Sequence, residues 1–227
     1  MKRSLKNAAS ILATGRSRAF VSRVAWLELE RLISSTFNEL SECKKETSQL
    51  GNLYLYKNRD REPFNKPNLY AFNIMNQILI HTGWRSLNVA FAITENGETQ
   101  VEYLHENGAN LWFSQDVSGA VMVFVSPYKS KALEIHESNI ILARYSCASS
   151  VTPRDIRRHF STYFRYCSVT SAHGNLGITG YIYRLFLKYG DFRYSTQRRA
   201  SLFRVIESVL AVVGIAATLY AGNKIFT

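Results

Sequence analysis

Apolar positions between residues 19 and 46 recur at helical spacing: Trp26, Leu29, Ile33, Phe37 and Leu40 form one stripe. Glu28, Glu30, Arg31, Glu39 and Glu42 lie mostly off it, so the pattern predicts a long amphipathic helix. Gly51 ends the pattern, and the polar stretch 51–67, with Pro63 and Pro67, predicts a loop. Asn68 can cap a helix over 69–82, with Phe72, Met75, Ile78 and Leu79 on its buried face and Gly83 as its stop signal.

The period then changes from helical to two. Residues 86–94 predict a strand, and Asn96-Gly97 is a favoured hairpin turn because both turn positions need positive φ. Residues 100–105 return, Asn107-Gly108 offers a second such turn, and 110–114 make a third strand. Residues 119–126 are apolar enough for an interior strand, while 132–136 and 139–146 are weaker strand candidates. Helical signals resume at Thr152, a natural N-cap, followed by Pro153 at the first helical position and Asp155 where a capping-box acid falls. In the helix over 153–167, Ile156, Phe160, Tyr163, Phe164 and Cys167 form one face, and Arg154, Arg157, Arg158 and Arg165 sit mainly on another. The predicted fold class is α+β: an antiparallel β-meander over about 86–146 flanked by helices.

Charge divides the chain differently. The 227 residues carry a net charge of +11. Residues 1–27 hold Lys2, Arg3, Lys6, Arg16, Arg18 and Arg23 and no acid, and residues 151–204 hold ten basic residues against Asp155 and Asp191. The middle of the chain is mildly acidic. The two ends therefore suit anionic partners, with lipid and nucleic acid as the physical candidates. The acid-free start allows four readings: a mitochondrial presequence, an arm on anionic lipid, an arm on nucleic-acid phosphates, or a solvated terminus.

From Ser208 to Asn223 run sixteen consecutive uncharged residues. With Val205, Ile206 and a tolerated Glu207, they reach roughly the 18–20 residues needed for one membrane crossing. The upstream flank mixes Arg184, Lys188, Arg193, Arg198, Arg199 and Arg204 with aromatics that include Tyr189 and Tyr194, as expected at a membrane interface. The chain then reads as a basic arm (1–18), a cytoplasmic domain (19–170), a juxtamembrane linker (171–204) and a single C-terminal transmembrane helix (205–223). The positive-inside rule places the bulk on the cytoplasmic side of a cytoplasmic or inner membrane. A buried core helix and a helix lying in the interface are the alternatives for 205–222. On the helix, Glu207, Ala211, Gly214, Thr218 and Gly222 form a stripe of small or polar residues, suited to close helix packing and a homo-oligomer. Alternatively, Glu207 snorkels and pairs with Arg204.

Catalytic chemistry is hard to find. His81, His105, His136, His159 and His173 form no HExxH, HxxxH or Cys/His cluster, and Cys43, Cys147 and Cys167 are far apart. There is no GxSxG, GxxxxGK[ST] or GxGxxG, so neither a cofactor nor an enzyme activity is expected. Glu134 and His136 could pair on a strand, Cys147 lies among serines, and 173–180 (HGNLGITG) reads as a phosphate cradle or a linker before an apolar-basic helix. In layout the chain is similar to membrane effectors of bacterial antiviral systems, in which a soluble domain senses a trigger and membrane helices assemble. That resemblance implies a non-enzymatic effector or adaptor with a protein, nucleoprotein or nucleic-acid partner. The alternatives are a soluble basic nucleic-acid-binding protein, with Arg154, Arg157, Arg158, Arg165, Arg16, Arg18 and Arg23 as candidate contacts, and a subunit of an organellar membrane complex.

Overall fold

The computed structural model describes residues 1–57, 76–95, 98–130, 138–174 and 177–194. The chain starts with one long helix, α1 (Lys2–Ser41), followed by the short α2 (Lys44–Gln49). The predicted stripe is the one that packs: Trp26, Leu29 and Ile33 are buried, and Phe37 and Leu40 are partly covered. The helix begins seventeen residues before the expected start at 19, so the basic arm 1–18 is helical. Alanines favour this extension, no proline interrupts it, and a Cβ at Gly15 would meet nothing within 4 Å. Forty helical residues span about 60 Å, enough for the start of α1 to stand clear of the body.

Two antiparallel sheets follow, so α+β holds, but the single meander does not. The larger sheet has the order β1-β2-β5-β6-β8, from β1 (Leu53–Lys57), β2 (Gln77–Thr82), β5 (Asn110–Gln115), β6 (Val121–Ser126) and β8 (Ile140–Tyr145). The smaller is β3 (Arg85–Glu95), β4 (Glu98–Asn107) and the two-residue β7 (Lys129–Ser130). Two sequence expectations fail here. The loop expected over 51–67 contains β1, whose Leu-Tyr-Leu-Tyr alternation is a strand signal. The helix expected over 69–82 ends in strand β2, where Ile78, Ile80 and Thr82 alternate into the core. β-branched side chains at period two outweigh the accidental helical spacing of Met75, Ile78 and Leu79. Residues 58–75, the Asn96-Gly97 turn and the candidate strand 132–136 lie outside the described residues.

Asn107-Gly108 is not a hairpin turn. β4 pairs with β3 and β7, whereas β5 pairs with β2 and β6, so the chain changes sheets at Gly108. A Cβ there would sit 1.5 Å from the Thr82 carbonyl oxygen, so only glycine lets the two backbones approach. The junction is tied by the buried Glu106 carboxylate, which accepts from Arg85 Nη2 at 2.6 Å, from Ser171 Oγ at 3.1 Å and from the Ala172 N–H.

α1 and α3 (Pro153–Thr170) share a core with one face of the larger sheet. The capping box forms as the sequence predicts: Thr152 Oγ1 accepts from the Asp155 N–H, and the Asp155 carboxylate accepts from the Thr152 N–H. Ile156, Phe160, Tyr163 and Cys167 are buried and Phe164 packs beside them. α1 is latched by Ser22, whose hydroxyl donates to the Gly119 carbonyl at 2.6 Å and accepts from the Ala148 N–H at 3.0 Å. Residues 178–194, expected within a linker, form α4 (Ile178–Gly190) and a 3₁₀ turn (Phe192–Tyr194). Both are docked on the body: Tyr183 and Leu187 pack against the core. Among the described residues no helix is long and apolar enough to cross a membrane, and the expected transmembrane helix 205–223 lies outside them.

Candidate functional site

Helix α4 presents two unlike faces. Gly180, Tyr183 and Leu187 turn inward. Ile178, Tyr181, Ile182, Leu185, Phe186 and Tyr189 follow the i, i+3, i+4, i+7, i+8, i+11 rule and share the other face. All six are exposed, between 46% and 79%. No charged residue interrupts them, and Arg184 and Lys188 flank the stripe. A contiguous apolar patch of this kind marks an interaction surface. The spacing was legible in the sequence, but the segment reads there chiefly as a mixture of cations and aromatics. The unbroken apolar stripe that Ile178, Ile182 and Leu185 complete with those aromatics emerges only once the helix is oriented.

The inner face explains the helix's orientation. The Tyr183 hydroxyl donates to the Thr162 carbonyl at 3.4 Å, and the Arg165 guanidinium lies 4.0 Å from the Tyr183 ring centre. Arg165, expected to meet an anionic partner, stacks on Tyr183 and is itself exposed. Arg154, Arg157 and Arg158 stand on the exposed face of α3 as predicted.

After α4 the chain is pinned by Asp191, which is 1% exposed. Its carboxylate accepts from the Ile141 N–H at 3.2 Å, the Arg193 N–H at 2.8 Å and Arg193 Nη2 at 2.8 Å. Burial alone would push this carboxyl up; the Arg193 hydrogen bonds outweigh it and hold the group below the usual carboxylate range. Arg193 also donates to the Asn139 carbonyl. Arg193, expected at a membrane interface, therefore brackets the turn to β8. Phe192 and Tyr194 remain exposed on either side of it. Phe192 shares a groove with Arg16 and Arg18 of α1, so the last described turn lies beside that helix. Arg23 is exposed on the same helix. Arg198, Arg199, Arg204 and the stripe Glu207, Ala211, Gly214, Thr218 and Gly222 lie outside the described residues.

A second surface faces away from the helices. On the outer side of the larger sheet, Tyr56, Leu79, Trp112 and Phe124 align across four strands, and the Trp112 and Phe124 rings stack 5.0 Å apart. Tyr54 and His81 make a tilted pair in the adjacent row.

Among the described residues the catalytic candidates lie apart from one another. Cys147 Sγ lies 3.2 Å from Ser149 Oγ, a contact that lowers the thiol's pKa, with Ser146 and Ser150 adding to it. His159 is buried, and its Nε2 is 2.8 Å from the Tyr145 hydroxyl. Burial lowers its pKa to about 4. His81 Nδ1 meets Asn110 Oδ1 at 2.8 Å, and His105 packs on Trp84. Glu134 and His136 lie outside the described residues. In 173–180, Gly177 precedes α4 and Gly180 is buried beneath it, so these two glycines serve helix start and packing. Among the described residues no group of three or more His, Cys, Asp or Glu is placed to hold a metal ion. Compared with known protein families, curated proteins and solved structures, the chain matches none.

Proposed function

We propose that this protein is a membrane-anchored, non-enzymatic effector or adaptor. The apolar face of α4 rests in the cytoplasmic leaflet, and residues 205–223 cross the bilayer. The observation that carries the reading is the exposed six-residue stripe of α4, which lies a short chain length before the uncharged segment that starts at Ser208. Arg184, Lys188 and Arg193 fit the headgroup level, and Tyr189 and Tyr194 fit the interface. The stripe Glu207, Ala211, Gly214, Thr218, Gly222 would pair the spans of neighbouring copies. The body, with the arginines of α3, would take the trigger or partner, and bacterial antiviral defence is the setting that the layout suggests.

The test is an alkaline carbonate wash of membranes from cells making the full chain or a chain ending at Ala200. The expected result is a full chain that stays in the washed membrane and a shortened chain that does not. Release of the full chain by carbonate overturns the reading.

A second reading has its own observation. Tyr54, Tyr56, Trp112 and Phe124, on the side of the larger sheet opposite α1 and α3, offer stacking faces for single-stranded nucleic acid. It predicts binding that weakens steeply with salt and is lost in Tyr56→Ala.

A further inference from the structure

The apolar stripe of α1 that packs on the body at Trp26, Leu29 and Ile33 continues toward the N-terminus through Leu12, Gly15 and Ala19. There it forms one wall of a groove of about 750 Å³. Val117, at the tip of the β5–β6 turn, and Phe192 make up the opposite wall. Leu12 and Val117 are 67% and 80% exposed, and Phe192 is 42% exposed. Arg16, Arg18 and Arg144 line the same groove.

Among the described residues, the Asp116 carboxylate lies 3.9 Å from Arg144. It is already committed to its own turn, accepting from the Ser118 N–H, the Ser118 hydroxyl and the Ala120 N–H. Three guanidinium groups thus surround an apolar trough. We propose that this groove binds an anionic phospholipid of the bilayer, its acyl chain along Leu12, Val117 and Phe192 and its phosphate on Arg16, Arg18 and Arg144.

Charge separates this occupant from the two others. The C-terminal segment 195–227 starts beside Phe192, but it carries Arg198, Arg199, Arg204 and Lys224 against Glu207 alone, so the arginines repel it. A second copy docked groove to groove would bring the same acid-free, basic residues 1–27 against themselves. A lipid supplies what the groove lacks, a negative head on an apolar chain. The proposal rests on the membrane reading above and adds a site to it: α1 lies on the leaflet, basic residues outward to the headgroups.

The full-length protein is mixed with vesicles of phosphatidylcholine alone, with vesicles of phosphatidylcholine plus phosphatidylglycerol, or with inorganic phosphate. The release of N-terminal peptides ending at Arg16 or Arg18 by trypsin is followed by mass spectrometry. Each arginine at an anionic surface strengthens association about fivefold, so the mixed vesicles should slow cleavage by about tenfold or more. The other two additions should leave it unchanged. Leu12→Asp, Val117→Asp and Arg144→Glu should each remove the protection while circular dichroism stays that of the unmodified protein, since all three side chains are exposed. Equal cleavage with both vesicle types overturns the proposal, as does protection that survives Leu12→Asp and Val117→Asp. Protection by inorganic phosphate alone also overturns it, leaving an anion site without a lipid. A chain that resists carbonate but is cut equally in both vesicles fails the groove alone. A chain released by carbonate but protected by the mixed vesicles fails the anchor alone.

Discussion

Asp191 fixes the turn that follows α4, and its removal has a calculable cost. In Asp191→Ala the Ile141 N–H loses its acceptor and the Arg193 side chain its carboxylate. A buried N–H without an acceptor costs roughly 1–3 kcal/mol, and a hydrogen bond to a charged group contributes roughly 1.5–3. The Arg193 side chain is 44% exposed, so water compensates part of its loss. A total of about 3 kcal/mol follows, which for a protein of this size lowers Tm by roughly 6–12 °C. Asp191→Asn keeps one acceptor oxygen but no charge, and should lose about half as much. The assay is thermal unfolding of the full-length protein in detergent, followed through its tryptophans. The sign with pH follows from the lowered carboxyl. Its stabilisation is complete above the unfolded value of about 3.9 and is lost as pH falls through the lower folded value. The gap between the native protein and Asp191→Asn should therefore be constant from pH 8 to pH 5 and close only in acid below about pH 4. A Tm unchanged in Asp191→Ala, or a gap that closes near pH 6, would refute this account of the turn.

Two further outcomes follow from buried contacts. Gly119 has φ +88°, and a Cβ there would lie 2.8 Å from Ser22 Cβ, so Gly119→Ala should push α1 off its latch and cost about 1–3 kcal/mol in the same melt. Burial holds His159 neutral when folded, with a pKa of about 4, and its Nε2 shares a 2.8 Å hydrogen bond with Tyr145, whose own pKa burial pushes up to about 12. The unfolded imidazole protonates first, near 6.5, so stability should fall as pH drops from about 6.5 toward 4 and then level off. His159→Gln should flatten that slope, as read from denaturant midpoints across the range.

The sequence disclosed those elements in which local pattern and tertiary burial agree. The stripe Trp26, Leu29, Ile33 and the Thr152–Asp155 capping box are examples, because helical period and cap chemistry are local properties. It misled where short apolar runs fit two periods, as at Ile78 and Ile80, which pairing with β1 and β5 makes a strand. It misled again at Asn107-Gly108, where the dipeptide suits a hairpin but the glycine serves a backbone crossing with Thr82. The candidate surface was half legible. Arg184, Lys188, Tyr189 and Tyr194 were identifiable from composition, whereas the unbroken apolar face needed α4 to be oriented by Tyr183 and Leu187. Arg165 could not be separated from Arg154, Arg157 and Arg158 by sequence, since only packing puts Tyr183 beneath it.

Helices α3 and α4 pack against each other, yet they meet their surroundings in opposite ways. α3 turns Arg154, Arg157, Arg158 and Ser161 outward, as a helix bathed in water does. α4 turns Ile178, Ile182, Leu185 and Phe186 outward from the same body. A general tolerance of exposed apolar residues would blur both helices alike, so the contrast is what a change of environment between them would produce. The six half-exposed side chains of α4 would release about 1 kcal/mol each on entering a leaflet, on the order of 5 kcal/mol together. That is comparable to one myristoyl chain, which holds a protein to a membrane only marginally. A stable attachment therefore needs a second contact. The apolar segment from Ser208 would supply it by crossing the bilayer, and the arginine-lined groove beside Phe192 would add to it at the surface, so losing the span alone should abolish resistance to carbonate, while losing the stripe or the groove should weaken only the surface attachment that remains.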